Sequence, residues 1–204
     1  MTRIRPVSPE VLADEIAERL LDTPGLVRVA IDGAPALKPG ALASGVADRL
    51  RSAGRFALPV STEDFLLPAS QRYEFGRTSP EAFYEGWRDV NGLRREVLDA
   101  ATDGRALPAL WRVDVDRSAR ASYVDVPPEG VILVSGEFLL GGGLPFELEV
   151  HLDASDAALA RRTPADQQWT LPAFTRYRDE VIPSLFADVV VRMEDPRHPA
   201  LVER

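Results

Sequence analysis

Apolar and polar positions alternate with a changing period along this chain, and the changes mark its elements. Val11, Leu12, Ile16 and Leu20 share one stripe at helical spacing, so residues 8–22 are predicted to form an amphipathic helix. Ser8 is placed to cap it, Pro9 suits its first turn, and Thr23-Pro24-Gly25 ends it. Residues 26–31, LVRVAI, are a short apolar run of the kind a strand shows when both its faces are buried. The loop DGAPALKPG follows, then a helix predicted from about Ala41 to Ala53 with Gly54 as its stop. Residues 56–61, FALPVS, read as a second strand, and Pro59 restricts it to an edge.

Further along, Pro68 to Ser79 lacks periodicity and reads as loop. Ser79-Pro80-Glu81 opens a helical stretch to about Ala101, with a break expected near Gly92. Residues 110–116 and 122–126 alternate like strands, and VILVS at 131–135 is a fully apolar one. ELEVHLD, 147–153, sets Leu148, Val150 and Leu152 against Glu147, Glu149 and His151, which predicts a strand with one polar face. His151 on that face reads as an exposed or pairing histidine. A helix from about Ala154 to Arg162, a polar loop, a helix over 172–186 and a strand over 187–193 complete the pattern. Strands alternating with helices imply an α/β layered sheet.

The length of 204 residues suits one domain, 1–204, able to bury a core without staples. Cysteine is absent, which removes disulfides, thiolate metal sites and cysteine nucleophiles. The two histidines, His151 and His198, are too few for a histidine-rich metal site, and no metal ligand set is expected. A net charge of −8 argues against nucleic acid as a partner. No apolar run has the roughly 20 residues of a membrane helix. The opening MTRIRPVSPEVLADE has no apolar core of a signal peptide. A cytoplasmic protein with a small-molecule substrate is the expectation. Of the 24 basic residues 23 are arginine, a bias of genome composition, and the single lysine is Lys38.

Lys38 lies in the loop between the first buried strand and its helix, the setting in which backbone N–H groups and a helix N-terminus favour an anion. The phosphate-binding pattern for that setting is G-x-x-x-x-G-K-[ST]. From Gly33 this chain reads G-A-P-A-L-K-P-G. Lys38 stands at the second glycine, Pro39 at the lysine and Gly40 at the hydroxyl.

RVAIDG (28–33), VSTEDF (60–65), RYEFGRTSPEAFYE (72–85), ILVSGEFLL (132–140), Ala160-Arg161-Arg162 and RYRDEVIPSLFADVVVRMEDP (176–196) together resemble the uridine kinase-like P-loop proteins, the nucleoside and nucleoside-monophosphate kinases. The resemblance covers nearly the whole chain. It implies a three-layer P-loop kinase-like domain with a mostly parallel central sheet, an N-terminal helix within 1–25 and a small helical lid over about 161–175. It implies ATP and Mg2+ as cofactors, although Pro39, Gly40 and Ser135 replace the residues that ordinarily hold them. Gly33, Lys38, Gly40, Arg161 and Arg162 are then the cofactor-side candidates. Lys38 could instead pair with Asp32 or Glu137 or face solvent.

Asp64 falls where the family carries a general base, with Glu63 beside it; a capping role for this acidic turn is the alternative. Glu137 could supply the acid missing at Ser135, or be a surface turn residue. Arg72, Tyr73, Arg77 and Tyr84 are the substrate-side candidates, since arginine forks make directional contacts to anions and hydroxyls; solvated ion pairs are the competing reading. Phe83, Tyr84 and Trp87 on adjacent helical turns suit a core. Arg176 could close on phosphate with the lid. The implied activity is that of a kinase relative with a remodelled nucleotide site, acting on a small hydroxylated or phosphorylated, nucleoside-like metabolite. The alternatives are a pseudokinase that binds without turnover, and unrelated chemistry in the same cleft.

Overall fold

The computed structural model describes residues 3–203. Its central sheet contains β1 (Arg3–Pro6), β2 (Val27–Asp32), β3 (Ala57–Ser61), β4 (Val131–Gly136), β5 (Leu148–Asp153), β6 (Val189–Arg192) and β7 (Ala200–Glu203). The spatial order is β1-β7-β6-β5-β2-β4-β3. The five strands β2 to β6 run parallel, while β7 is antiparallel to both β6 and β1. The longer helices are α1 (Pro9–Leu21), α2 (Pro39–Ser52), α3 (Pro80–Gly86), α4 (Asp156–Arg162) and α5 (Leu171–Val181).

Two cores sandwich the sheet. On one face Leu12 and Ile16 of α1 and Val46 and Leu50 of α2 pack on Val29, Ile31, Leu133, Val150 and Leu152. On the other, Leu93, Val97, Leu98 and Tyr177 pack on Ala30, Val60, Ile132 and Val134. Every residue of β4 is buried, which is why VILVS has no polar alternation. Pro59 sits on β3, the sheet's edge, where its missing N–H removes no ladder bond on the outer side.

Several elements differ from the pattern-based expectation. β5 lies between β2 and β6, so both of its edges are paired, and His151 is buried at 7% exposure; the polar face inferred from alternation is an interior one at that position. The helical stretch after Ser79 breaks at Trp87, with Asp89 capping a new turn through a 2.7 Å bond from Gly92 N–H, and it continues through a π-helical stretch at Arg94–Asp99. A short helix, Ala69–Arg72, occupies part of the segment read as loop. The helix predicted over 172–186 is broken at Ile182, which takes φ 53° before Pro183. β1 and β7 escaped the sequence reading, because four-residue strands give too short a period to recognise.

The C-terminal ends of β2, β3, β4 and β5 converge, and parallel strands in this arrangement open a crevice at their carboxyl ends. Gly136 turns the chain there at φ 154°, and a Cβ on it would lie 1.9 Å from Thr62 Oγ1. Gly136→Ala is therefore expected to cost about 3 kcal/mol, from backbone strain and a displaced Thr62. Gly142→Ala has nothing within 4 Å of its Cβ and should stay within about 0.5 kcal/mol of the parent. Chemical denaturation of the two variants checks the contrast.

Candidate functional site

Gly33 leaves β2 pressed against β5: a Cβ on it would lie 2.9 Å from Leu152 Cβ, so only glycine fits without movement. Its N–H donates to Gly136 O at 2.9 Å. The chain then coils into a tight turn, Pro35–Leu37, in which Leu37 N–H bonds to Ala34 O at 2.8 Å and Lys38 N–H to Pro35 O at 3.0 Å. Lys38 takes the left-handed conformation, φ 58° and ψ 52°, and α2 begins at Pro39. The loop's N–H groups at Gly33, Leu37 and Lys38 are thus occupied by the protein's own carbonyls, and Pro35 and Pro39 have none. Those of Ala34, Ala36 and Gly40 remain.

The Lys38 side chain is exposed and, among the described residues, makes no ion pair. Its suggested partners are engaged elsewhere: Asp32 with His151, and Glu137 with Arg88. Lys38 lies with Glu10, Arg49 and Met193 around a groove between α1 and α2, and it does not line the cleft that holds Glu63 and Glu137. Gly40 faces Ser135, since a Cβ built on it would be 3.7 Å from Ser135 Oγ. Ser135 is itself buried and donates to Val60 O at 3.4 Å.

Beyond the loop lies a cleft of about 310 Å³. Ala34, Pro35 and Ala36 form one wall, Glu63 and Glu137 supply carboxylates, and Phe83, Trp87, Trp169 and Phe174 supply aromatic surface. Thr163, Pro164, Gln167 and Thr170, from the segment expected as a lid, cover it. Glu63 is on the wall, whereas Asp64 is half-buried behind it with its backbone carbonyl accepting from Leu110 N–H at 2.9 Å. Desolvation, followed by the nearby charges of Glu137 and Asp64, raises the Glu63 carboxyl above its ordinary range; desolvation alone raises Asp64. The turn that holds them is capped by Ser61 Oγ, which accepts from Glu63 N–H at 3.2 Å.

Glu137 is buried and paired with Arg88, both side chains being 8% exposed. Arg88 also donates to Phe83 O at 2.9 Å, and its guanidinium lies 4.7 Å and 4.8 Å from the Phe83 and Phe138 ring centres. A buried ion pair of this kind holds its geometry because breaking either partner leaves an uncompensated charge. Arg88 was not singled out from sequence, since nothing in EGWRDV distinguishes it from the chain's other arginines.

Arg72 is 3% exposed and lines the cleft. It donates to Leu67 O at 2.7 Å and to Tyr73 OH at 3.3 Å, and it stacks on Tyr73 and Trp87. Arg77 is exposed above the outer side of Tyr73. Tyr84 packs edge-on against Phe138, beneath Arg176, which is held by Glu85 and Glu180. Arg162 donates to the carbonyls of Met193 and Glu194, fastening α4 to the chain after β6, and Arg161 is exposed. Arg161, Arg162 and Arg176 are therefore outside the walls of the cleft in this conformation.

A second cluster bears out the pairing reading of His151 and supplies the partner that the sequence did not name. Asp32 is fully buried at the end of β2, where its Oδ1 accepts from Leu139 N–H at 2.9 Å. Its Oδ2 lies 2.7 Å from His151 Nδ1 and accepts from Tyr177 OH at 3.2 Å. The signals in the sequence were the aspartate ending an otherwise apolar strand and the histidine within ELEVHLD.

The fold has solved counterparts. A structure described as a possible uridine kinase from Bacillus stearothermophilus matches with a TM-score of 0.72 at 20% identity, over 87% of this chain and 96% of that one. A candidate fructose transport system kinase from Silicibacter matches at 0.60 and 23%, over 88% and 93%. D-glycerate 3-kinase from Cryptococcus neoformans matches at 0.55 and 14%, over 84% and 80%. No family model and no curated protein matches the sequence. Among the described residues no helix is long and apolar enough to cross a membrane. A sheet of five parallel strands between two helical layers, with a strand–loop–helix beside an acidic cleft and these counterparts over most of the chain, is the P-loop kinase fold.

Proposed function

We propose that this protein binds a small hydroxylated, nucleoside-like or sugar-like metabolite in the cleft beneath the 163–174 segment, and that it does not use Mg-ATP in the ordinary way of its fold. The observation that carries the second half is the hydrogen bonding of the loop. A phosphate cradle needs converging free N–H groups, and here the turn occupies those of Leu37 and Lys38 internally. Pro39 offers neither an N–H nor a cation where the pattern places its lysine. The positions that would hold Mg2+ face each other as Gly40 and Ser135, with a single hydroxyl between them and no carboxylate. The residues present do not fit Mg-ATP.

The first half is supported by the cleft's composition. Aromatic faces at Trp87 and Trp169 suit a flat or ring-shaped ligand, and Glu63 and Arg72 can bond its hydroxyls. A second reading, an enzyme acting on a ligand hydroxyl, is favoured by Glu63 alone. Its carboxyl is held above the ordinary carboxylate range by burial and by the charges of Glu137 and Asp64, and it lies on the wall, which suits a general base. Asp64, the base implied by the resemblance, would act from behind it.

Three outcomes test these readings. Mg-ATP is expected to leave the melting temperature unchanged, whereas a ligand at 100 times its Kd would add about 2.7 kcal/mol of stability. Such stabilisation raises Tm by roughly 5–10 °C in a domain of this size. The combined variant Lys38→Gly, Pro39→Lys, Gly40→Ser and Ser135→Asp should acquire that shift, and a shift in the parent protein would overturn the proposal.

A screen of nucleosides and polyols followed by tryptophan fluorescence should find a ligand whose signal falls at least tenfold in the Trp169→Ala variant.

The third outcome concerns pH. Because Glu63 is raised in the fold, the stability tied to its protonation is present below the ordinary carboxylate range and lost as pH rises through its folded value. Glu63→Gln should therefore raise Tm at pH 7, and the gain should shrink towards about pH 4. Under the second reading the same variant abolishes turnover while leaving ligand binding within about tenfold.

A further inference from the structure

His151 and Asp32 face each other across the β2–β5 pairing, at the carboxyl ends of two neighbouring strands. Asp32 already accepts hydrogen bonds from Leu139 N–H and Tyr177 OH, and Tyr177 OH accepts in turn from Leu140 N–H at 3.0 Å. A carboxylate surrounded by donors takes a third, so His151 Nδ1–H donates a hydrogen bond to Asp32 Oδ2 across 2.7 Å. Burial, reinforced by the charge of Asp32, raises the Tyr177 phenol and keeps it a donor. Nδ1 is thereby committed to Asp32, and Nε2 is the ring nitrogen left to meet a ligand, an acceptor in the neutral ring.

Among the described residues Nε2 has no hydrogen-bond partner, yet it is not one of the atoms sealed from solvent without one. It opens on a recess of about 40 Å³ whose walls also include Asp153, Glu137, Tyr177 and Arg178. Arg178 is held away by a two-pronged pair with Asp156, at 2.8 and 2.9 Å. The recess shares Ala34, Glu137 and Phe174 with the aromatic cleft. A single water needs roughly 10–15 Å³, so the recess has room for about three waters, or for one short hydroxyl-bearing arm, and not for a ring.

We propose that the Asp32–His151 pair forms a hydroxyl-accepting subsite, in which His151 Nε2 takes a hydrogen bond from a primary or secondary alcohol of a ligand whose body lies in the cleft. This deepens the reading of the cleft as a polyol or nucleoside site and rests on it. In its neutral form an imidazole oriented by a buried carboxylate is a strong acceptor, and the ligand it would choose carries a free hydroxyl rather than a phosphate at that end: Asp153 in the same walls, without an ion pair among the described residues, disfavours an anion.

The chain contains two histidines, which makes the test direct. In a His198→Ala background, diethyl pyrocarbonate should modify His151 in the folded protein, and 15N NMR should show one imidazole with a protonated Nδ1 and an unprotonated Nε2. Asp32→Asn, if it folds, should lose the tautomer preference and slow the modification at least fivefold. Tyr177→Phe is the milder second variant, expected to weaken both effects without unfolding the protein. A proton on Nε2, or no modification before unfolding, would overturn the subsite.

The ligand arm uses uridine, glycerol and D-fructose as probes. A probe that quenches Trp87 or Trp169 should also slow modification of His151 and shift its Nε2 resonance. Quenching with no effect on His151 overturns the subsite and leaves the cleft reading intact. Absence of quenching by every probe, with His151 reactive as described, counts against the cleft reading and for an open acceptor at His151.

Discussion

A carboxylate with no exposure to solvent imposes its own terms on a fold, and Asp32 is such a group. An unpaired ion at that depth would cost several kcal/mol, so each of its lone pairs must find a donor. The donors come from three places: His151 from the neighbouring strand β5, Leu139 from the turn after β4, and Tyr177 from α5. Satisfying one side chain therefore brings together β2, β5, the β4 turn and the helix that carries the cover of the cleft. Phe138, in the same turn, packs on Tyr84, Phe174 and Tyr177, so the aromatic wall is built outward from the same anchor.

The loop between β2 and α2 is held by a different constraint. Gly33 must lie flat against Leu152, and its N–H is taken by Gly136. From there only a few residues lead to Pro39, which opens α2. Two prolines and a coiled turn close the distance with internal hydrogen bonds, and Lys38 adopts the left-handed conformation that a glycine would take at lower cost, a strain of about 1–2 kcal/mol. The geometry that lets the chain make this turn also ties up the amides of Leu37 and Lys38, leaving those of Ala34, Ala36 and Gly40.

The chain's alternation of apolar runs and amphipathic stripes made the layered architecture legible, together with the buried strands at 27–32 and 131–136 and the edge position of Pro59. It misled at β5. Period-two alternation normally marks a strand with one wet face, but here His151 is buried on a strand paired along both edges, and it is accommodated by Asp32 rather than by water. The acidic turn at 61–65 was visible as a candidate, yet which of its two acids faces the cleft depends on the direction in which a short turn leaves an edge strand. Arg88, in a chain whose cations are nearly all arginine, carried no mark of its burial against Glu137.

The residues at 33–40 were sufficient to establish that lysine, hydroxyl and glycine do not stand in the order a phosphate loop uses, because that is a matter of identity at fixed spacing. Periodicity was likewise sufficient for the sheet-and-helix layering, since burial of apolar faces follows from local pattern. Partnership was not accessible in this way. That Lys38 turns to the α1–α2 side, that Arg162 fastens to Met193 and Glu194, and that His151 meets Asp32 are contacts between residues 31 to 119 positions apart or across a loop's two sides. Such contacts are set by strand order and by the need to pair buried charge, and neither quantity is written in the neighbourhood of the residues it governs.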